Sequence, residues 1–102
     1  MSDRFHQIDS DISLPTSAPL LRQVLTADQI RRIYDLIGGE KLRQLAAVSH
    51  GGENIDYNAA AKKEAEDMEV ICRAVTTVTG ASRLWVIGFA SQFAQGILSC
   101  CE

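Results

Sequence analysis

Residues 84–101 read LWVIGFASQFAQGILSCC, without one charged side chain. No other part of the chain constrains its fold as strongly, because a helix with no charged face has no side built for water. As one helix the stretch would be about 27 Å long, the lower limit for crossing a bilayer. Ser91, Gln92, Gln95 and Ser99, the two glycines Gly88 and Gly96, and the missing basic flank after it argue against a membrane span. Burial by protein is the remaining solution, either inside this chain or against another.

Composition narrows the choice. The chain has 102 residues, 46% hydrophobic and 23% charged, which suits one globular domain and is too apolar for a fully disordered chain. Ten basic against thirteen acidic residues give a net charge of −3, so no global positive field favours nucleic acid. The first residues are acidic and lack an apolar run behind a basic start, so no secretory signal is read and a cytoplasmic location is expected. Three cysteines, two of them adjacent, make a poor disulfide framework and are read as thiols.

The opening segment mixes Ser, Asp, Thr and Pro with isolated Phe5, Ile8, Ile12 and Leu14 and has no sustained period. Residues 1–20 are therefore expected to be a flexible arm, and residues 21–102 a helical domain. Within that domain the first helix is expected over residues 26–37. Thr26 and Gln29 have the spacing of a capping box, and Leu25 and Ile30 that of a hydrophobic staple. Ile30, Ile33, Tyr34 and Ile37 then repeat at helical spacing until Gly38 and Gly39. EKLRQLAAVSH reads as a second, shorter helix that buries Leu42, Leu45, Ala46 and Val48.

A long helix is expected over residues 58–79, capped by Asn54 or Asp56. Ala61, Ala65, Met68, Cys72, Val75 and Thr79 step by four and three along one seam. Lys62 with Glu66, Lys63 with Asp67, and Glu69 with Arg73 have ion-pair spacing on the outer face. The final helix is expected over residues 83–100, with Ser82 as its cap and Val86, Ala90, Phe93, Ile97 and Cys100 as its seam. A buried strand over RLWVIGF competes with this reading, but a lone strand between helices lacks a pairing partner. The fold expected is all-α, a small helical bundle with two longer C-terminal helices.

No catalytic, metal or cofactor signature survives inspection. His50 and Cys72, with Asp56 as orienter, are the nearest approach to an activated thiol. Cys72 sits where a small apolar thiol packs, however, and His50 sits at a helix end, where it favours the dipole. Cys100 and Cys101 lack the spaced partners that zinc requires, and packing of Cys100 beside an exposed Cys101 is the plainer reading. GGEN follows a helix, so it has no phosphate-loop context. No enzyme, no cofactor and no metal are expected.

Two function classes remain. In the first, the last helix is an interface: a chain with about 80 ordered residues hides only around 60% of its surface and gains from a partner. Trp85, Val86, Phe89, Ala90, Phe93 and Ile97 are the residues assigned to a homodimer or partner contact. In the second, Arg31, Arg32, Lys41 and Arg43 on two short helices form a helix-turn-helix-like DNA reader. Few side chains suited to base edges accompany them, and the neighbouring long helix is acidic, which favours the first class.

Length, an unstructured front end and two long helices over residues 58–79 and 83–100 together resemble the small helical antiactivators of bacterial quorum sensing, the TraM and QslA kind. That resemblance implies a dimer that binds a LuxR-type transcription regulator and stops it working. It is one of architecture and assigns no role to any single residue.

Overall fold

The computed structural model describes residues 11–47 and 56–102. These form two strands and five helices: β1 (Asp11–Leu14), α1 (Ala18–Val24), α2 (Ala27–Ile37), α3 (Gly39–Ala46), α4 (Tyr57–Thr79), β2 (Arg83–Val86) and α5 (Ala90–Cys101). The fold is helical, with one small sheet. Val48, His50, Asn54 and the GGEN stretch lie outside the described residues, as do Phe5 and Ile8.

Local signals account for most helix ends. At α2 the capping box is closed: the Gln29 N–H donates to Thr26 Oγ1 at 3.1 Å and the Thr26 N–H to Gln29 Oε1 at 3.0 Å. Leu25 and Ile30 are both buried in the same core, as a staple requires. Gly38, at φ 95°, ends α2 and opens α3 without an intervening loop. Asp56 caps α4 by accepting from the Asn58 and Ala59 N–H groups at 3.0 and 3.2 Å. At its far end, Thr76, Thr77 and Thr79 return their hydroxyls to carbonyls one turn back, and Gly80 at φ 76° closes the helix.

The seam expected on α4 is rotated. Ala61 and Ala65 are exposed, Met68, Cys72 and Thr79 are half-buried, and only Val75 of that row is fully buried. The buried face is Asp67, Ile71, Ala74, Val75 and Val78. Both rows have three-four spacing, and the winning one carries the larger β-branched side chains, whose burial removes more apolar area from water. Lys63–Asp67 and Glu69–Arg73 form the expected pairs at 3.1 and 2.9 Å. Asp67 is nonetheless buried, so its pair with the half-exposed Lys63 satisfies a carboxylate that the core would otherwise leave alone.

The last segment is not one helix. Residues 83–86 are extended and residues 90–101 helical, divided at Gly88, whose φ of 132° no helix accommodates. Leu84, Trp85, Val86 and Ile87 are aromatic, γ-branched and β-branched residues that fit a pleated, half-buried surface. The partner this strand needs comes from the segment expected to be a flexible arm. β1 pairs with β2 in parallel, Leu14 beside Val86, and the Ile87 N–H donates to the Leu14 carbonyl at 2.8 Å. Leu14 is fully buried, and α1 begins at Ala18 behind Ser17, with Pro19 in its first turn. Residues 11–20, expected as part of a flexible arm, thus hold a strand and the start of a helix, and the rest of that expectation lies outside the described residues.

Helix α5 sits at the centre. It packs against α1, α2, α3 and α4, and Ala90, Ser91, Phe93, Ala94, Gly96 and Ile97 are buried on it. The core around it includes Leu14, Leu21, Ile33, Leu42, Leu45, Ile71 and Val75. Ser82 lies ahead of β2 and so does not cap this helix. Instead the Phe89 N–H donates to Gln92 Oε1 at 2.8 Å, and Glu64 on α4 accepts from the Ala90 N–H at 2.8 Å, placing a carboxylate at the positive end of α5.

Gly96 marks the tightest approach. A Cβ there would collide with the Thr16 carbonyl oxygen and with Leu21 Cδ1, so the chain leaving β1 lies directly on α5. Gly96→Ala is therefore expected to destabilise the fold by about 1–3 kcal/mol through overpacking, although alanine favours helix. Urea unfolding monitored at 222 nm measures it, and an unchanged or raised midpoint would contradict this packing.

Candidate protein-binding surface

The six residues assigned to an interface from sequence do not share one surface. Phe93 and Ile97 are fully buried, and Ala90 is 1% exposed, all inside the chain's own core. Val86 is half-buried and packs on that core. Trp85 and Phe89 face outward, 51% and 47% exposed, and Ile87 between them is 63% exposed. Leu20 and Val24 on α1, Leu36 on α2 and Tyr57 on α4 are exposed as well, but Trp85, Ile87 and Phe89 fall at alternate positions of one short stretch, and the seam on α5 lies inside the chain's own core.

The alternation of β2 produces this division. Leu84 and Val86 point towards the helices, while Arg83, Trp85 and Ile87 point to the other side of the sheet. Past the strand, Gly88 turns the chain and Phe89 leads into α5. Three side chains of this size, each about half exposed, present roughly 300 Å² of apolar surface, the scale of a functional patch on a small protein. Ile87 was the residue that helical spacing left out of the assigned set, and period-two alternation over LWVI is the signal that finds it.

The basic residues of the alternative reading are spread over α2 and α3. Arg31 lies 3.4 Å from Asp35 and 5.3 Å above the Tyr34 ring. Arg43 donates to Glu102 Oε2 at 2.8 Å, and the Tyr34 hydroxyl donates to the same oxygen at 2.7 Å. Arg32 is exposed and Lys41 half-buried. Two of the four cations are thus engaged with carboxylates of this chain. The hydrogen bond to Glu102 holds the Tyr34 phenol above its ordinary value, burial adds to that, and the nearby Arg43 opposes it.

The cysteines are shielded. Burial raises the Cys72 thiol, and His50 lies outside the described residues. Cys101 is half-buried, not exposed as expected, and its thiol is also raised by burial, with Arg31 only partly opposing the effect. Cys100 donates a long 3.8 Å bond to the Ala18 carbonyl. Together they line a cavity of about 380 Å³ with Leu25, Ile30, Arg22 and Arg31. A thiol raised as that of Cys101 is makes a poor nucleophile at neutral pH. Among the described residues no three His, Cys, Asp or Glu side chains converge as a metal set, and no helix is long and apolar enough to cross a membrane.

The division between core and strip has a direct consequence for mutation. Phe93→Asp places a carboxylate in the centre of the bundle and is expected to unfold the chain, exceeding the 3–5 kcal/mol of a simple Phe truncation. Phe89→Asp changes stability far less, because its side chain already meets water. Circular dichroism and thermal melts on both variants check this, and a folded Phe93→Asp chain would place that residue on a surface after all. Comparison with protein-family models, with curated proteins and with solved structures returns no match, so the functional reading rests on this geometry.

Proposed function

We propose that the chain is a non-catalytic regulatory protein that acts by binding another protein, and that its binding surface is the strip Trp85, Ile87 and Phe89. The observation that carries this reading is the exposure of all three at alternate positions of residues 85–89, whereas the other exposed large apolar side chains, Leu20, Val24, Leu36 and Tyr57, are spread over three helices. A strip of this kind costs solubility unless something covers it for part of the protein's working life. Shielded thiols and open, shallow cavities support a non-catalytic role.

A LuxR-type transcription regulator is the partner class proposed, with the chain acting as an antiactivator. Support for it is architectural: a short chain, helical among the described residues, with a long helix, α4, over the residues expected for the first of two. The second long helix of that likeness is replaced by β2 and α5. A DNA reader built on Arg31, Arg32, Lys41 and Arg43 is the weaker reading, because Arg31 and Arg43 already face Asp35 and Glu102.

The test is titration calorimetry of the chain against LuxR-type regulators, with Ile87→Asp/Phe89→Asp as the comparison. Wild-type protein is expected to bind, and the double variant to bind about thirty-fold more weakly or worse while keeping its helix content, as loss of a central apolar anchor does. Equal binding by both proteins would remove the strip from the account. A gel shift that appears at low salt and collapses steeply as salt rises would replace the reading with the DNA one.

A further inference from the structure

Among the described residues the sheet has two strands, so β2 has one edge towards β1 and one edge away from it. The pairing fixes which groups face which way. The Ile87 N–H reaches the Leu14 carbonyl, so the odd-numbered residues of β2 turn their main chain to β1, and Leu84 and Val86 turn theirs to the far edge. Among the described residues no further strand pairs with the far edge, and its protection is limited to the shortness of a four-residue strand. Its sequence is LWVI, with no proline or lysine, and the one charge on the strand, Arg83, sits at its start.

We infer that this far edge pairs with the same edge of a second copy, antiparallel about a two-fold axis at Trp85, to give one four-stranded sheet in the order β1-β2-β2-β1. The inference rests on reading the Trp85 strip as a protein-binding surface and names its first occupant. In that register the N–H and C=O of Leu84 meet the C=O and N–H of Val86 in the other copy, and the converse pair completes four main-chain bonds. The Val86 carbonyl also accepts from the Gly88 N–H at 3.1 Å, which leaves one of its two lone pairs for the second copy. Trp85 then faces its own counterpart at the axis as a non-hydrogen-bonded pair, where Cα atoms come closest, about 4.5 Å, and side chains pack best.

Self-complementarity selects a second copy over an unrelated strand. Arg83 falls opposite Ile87 and not opposite another Arg83, so no like charges meet across the axis. Leu84 and Val86 of both copies stay on the face that packs on helices, so neither core is disturbed. Ile87 and Phe89 remain on the outer face, where two strips become one continuous apolar surface for a further partner. Four main-chain bonds and one aromatic pair make a small contact, so the dimer is expected to be weak and reversible.

The chain contains a single Trp, so a Trp–Trp exciton couplet in its circular dichroism arises only between two copies. Sedimentation equilibrium and circular dichroism are measured on the full chain from roughly 1 to roughly 200 µM, a range that brackets micromolar association. The expected result is a mass rising from 11.2 kDa towards twice that value, with the couplet growing in step. Trp85→Lys, which sets two ammonium groups face to face, and Val86→Pro, which removes an outward donor, each raise the dissociation constant ten-fold or more with helix content kept. A monomer throughout the range overturns the pairing, as does a dimer that shows no couplet or that survives Trp85→Lys. A monomer whose Trp85 emission shifts to the blue on addition of a LuxR-type regulator overturns the pairing and keeps the regulatory reading. A dimer with the couplet that binds no such regulator does the reverse.

Discussion

Burial of α5 by the chain's own helices is the interaction on which the rest of the structure depends. Phe93, Ala94 and Ile97 are wholly removed from water, and α1, α2, α3 and α4 all rest on this one helix. Phe93 and Ile97 contribute about 1.5–3 kcal/mol each by transfer alone, a large share of the net stability of a domain this small. A central helix enclosed on several sides needs no charged face, which explains why α5 has none. Its small residues, Ala90, Ala94 and Gly96, let the surrounding backbone come close, most sharply at Thr16.

Enclosing α5 requires the chain to finish α4, cross the bundle and re-enter at its centre. Gly80 and Gly88 make the two turns of that path, at φ 76° and 132°. Pairing with β1 satisfies one side of the extended segment's main chain, and Glu64 holds its exit at the Ala90 N–H. The apolar strip is thus a by-product of the route by which α5 reaches the core.

Much of this was legible in the sequence wherever a signal is local. The capping box at Thr26, the staple of Leu25 and Ile30, the stop at Gly38 and the long helix ending at Gly80 are each contained in a few residues, and each is present in the fold. Ser17 followed by Pro19 carried the start of α1 in the same local form, inside a segment read as an arm because Ile12 and Leu14 show no helical period. What sequence could not supply is the long-range pairing of β1 with β2. Strand propensity in LWVI competes with helical spacing over the same letters, and only the partner at Asp11–Leu14 decides between them. The row chosen on α4 failed for a related reason: spacing alone does not weigh Ile71 and Val78 against Ala61 and Ala65. Once the strand is recognised, Ala90, Phe93 and Ile97 pass from candidate interface to core, and Trp85 and Phe89 stay outside.

Residues 84–101 divide at Gly88 into a half-exposed strand and a helix that is the core of the chain's own fold. Native-state hydrogen exchange read residue by residue tests this division most directly, because amides held only by the global fold exchange only when the whole domain opens. The account predicts that the Phe93, Ala94 and Ile97 amides are among the slowest in the molecule. Their protection should equal the global unfolding free energy and stay unchanged on dilution, and the Ile87 amide should be protected through its bond to Leu14. Rapid exchange along α5 in dilute monomer, or protection there that rises with protein concentration, would mean that this helix is buried by assembly, and the account would fail at its base.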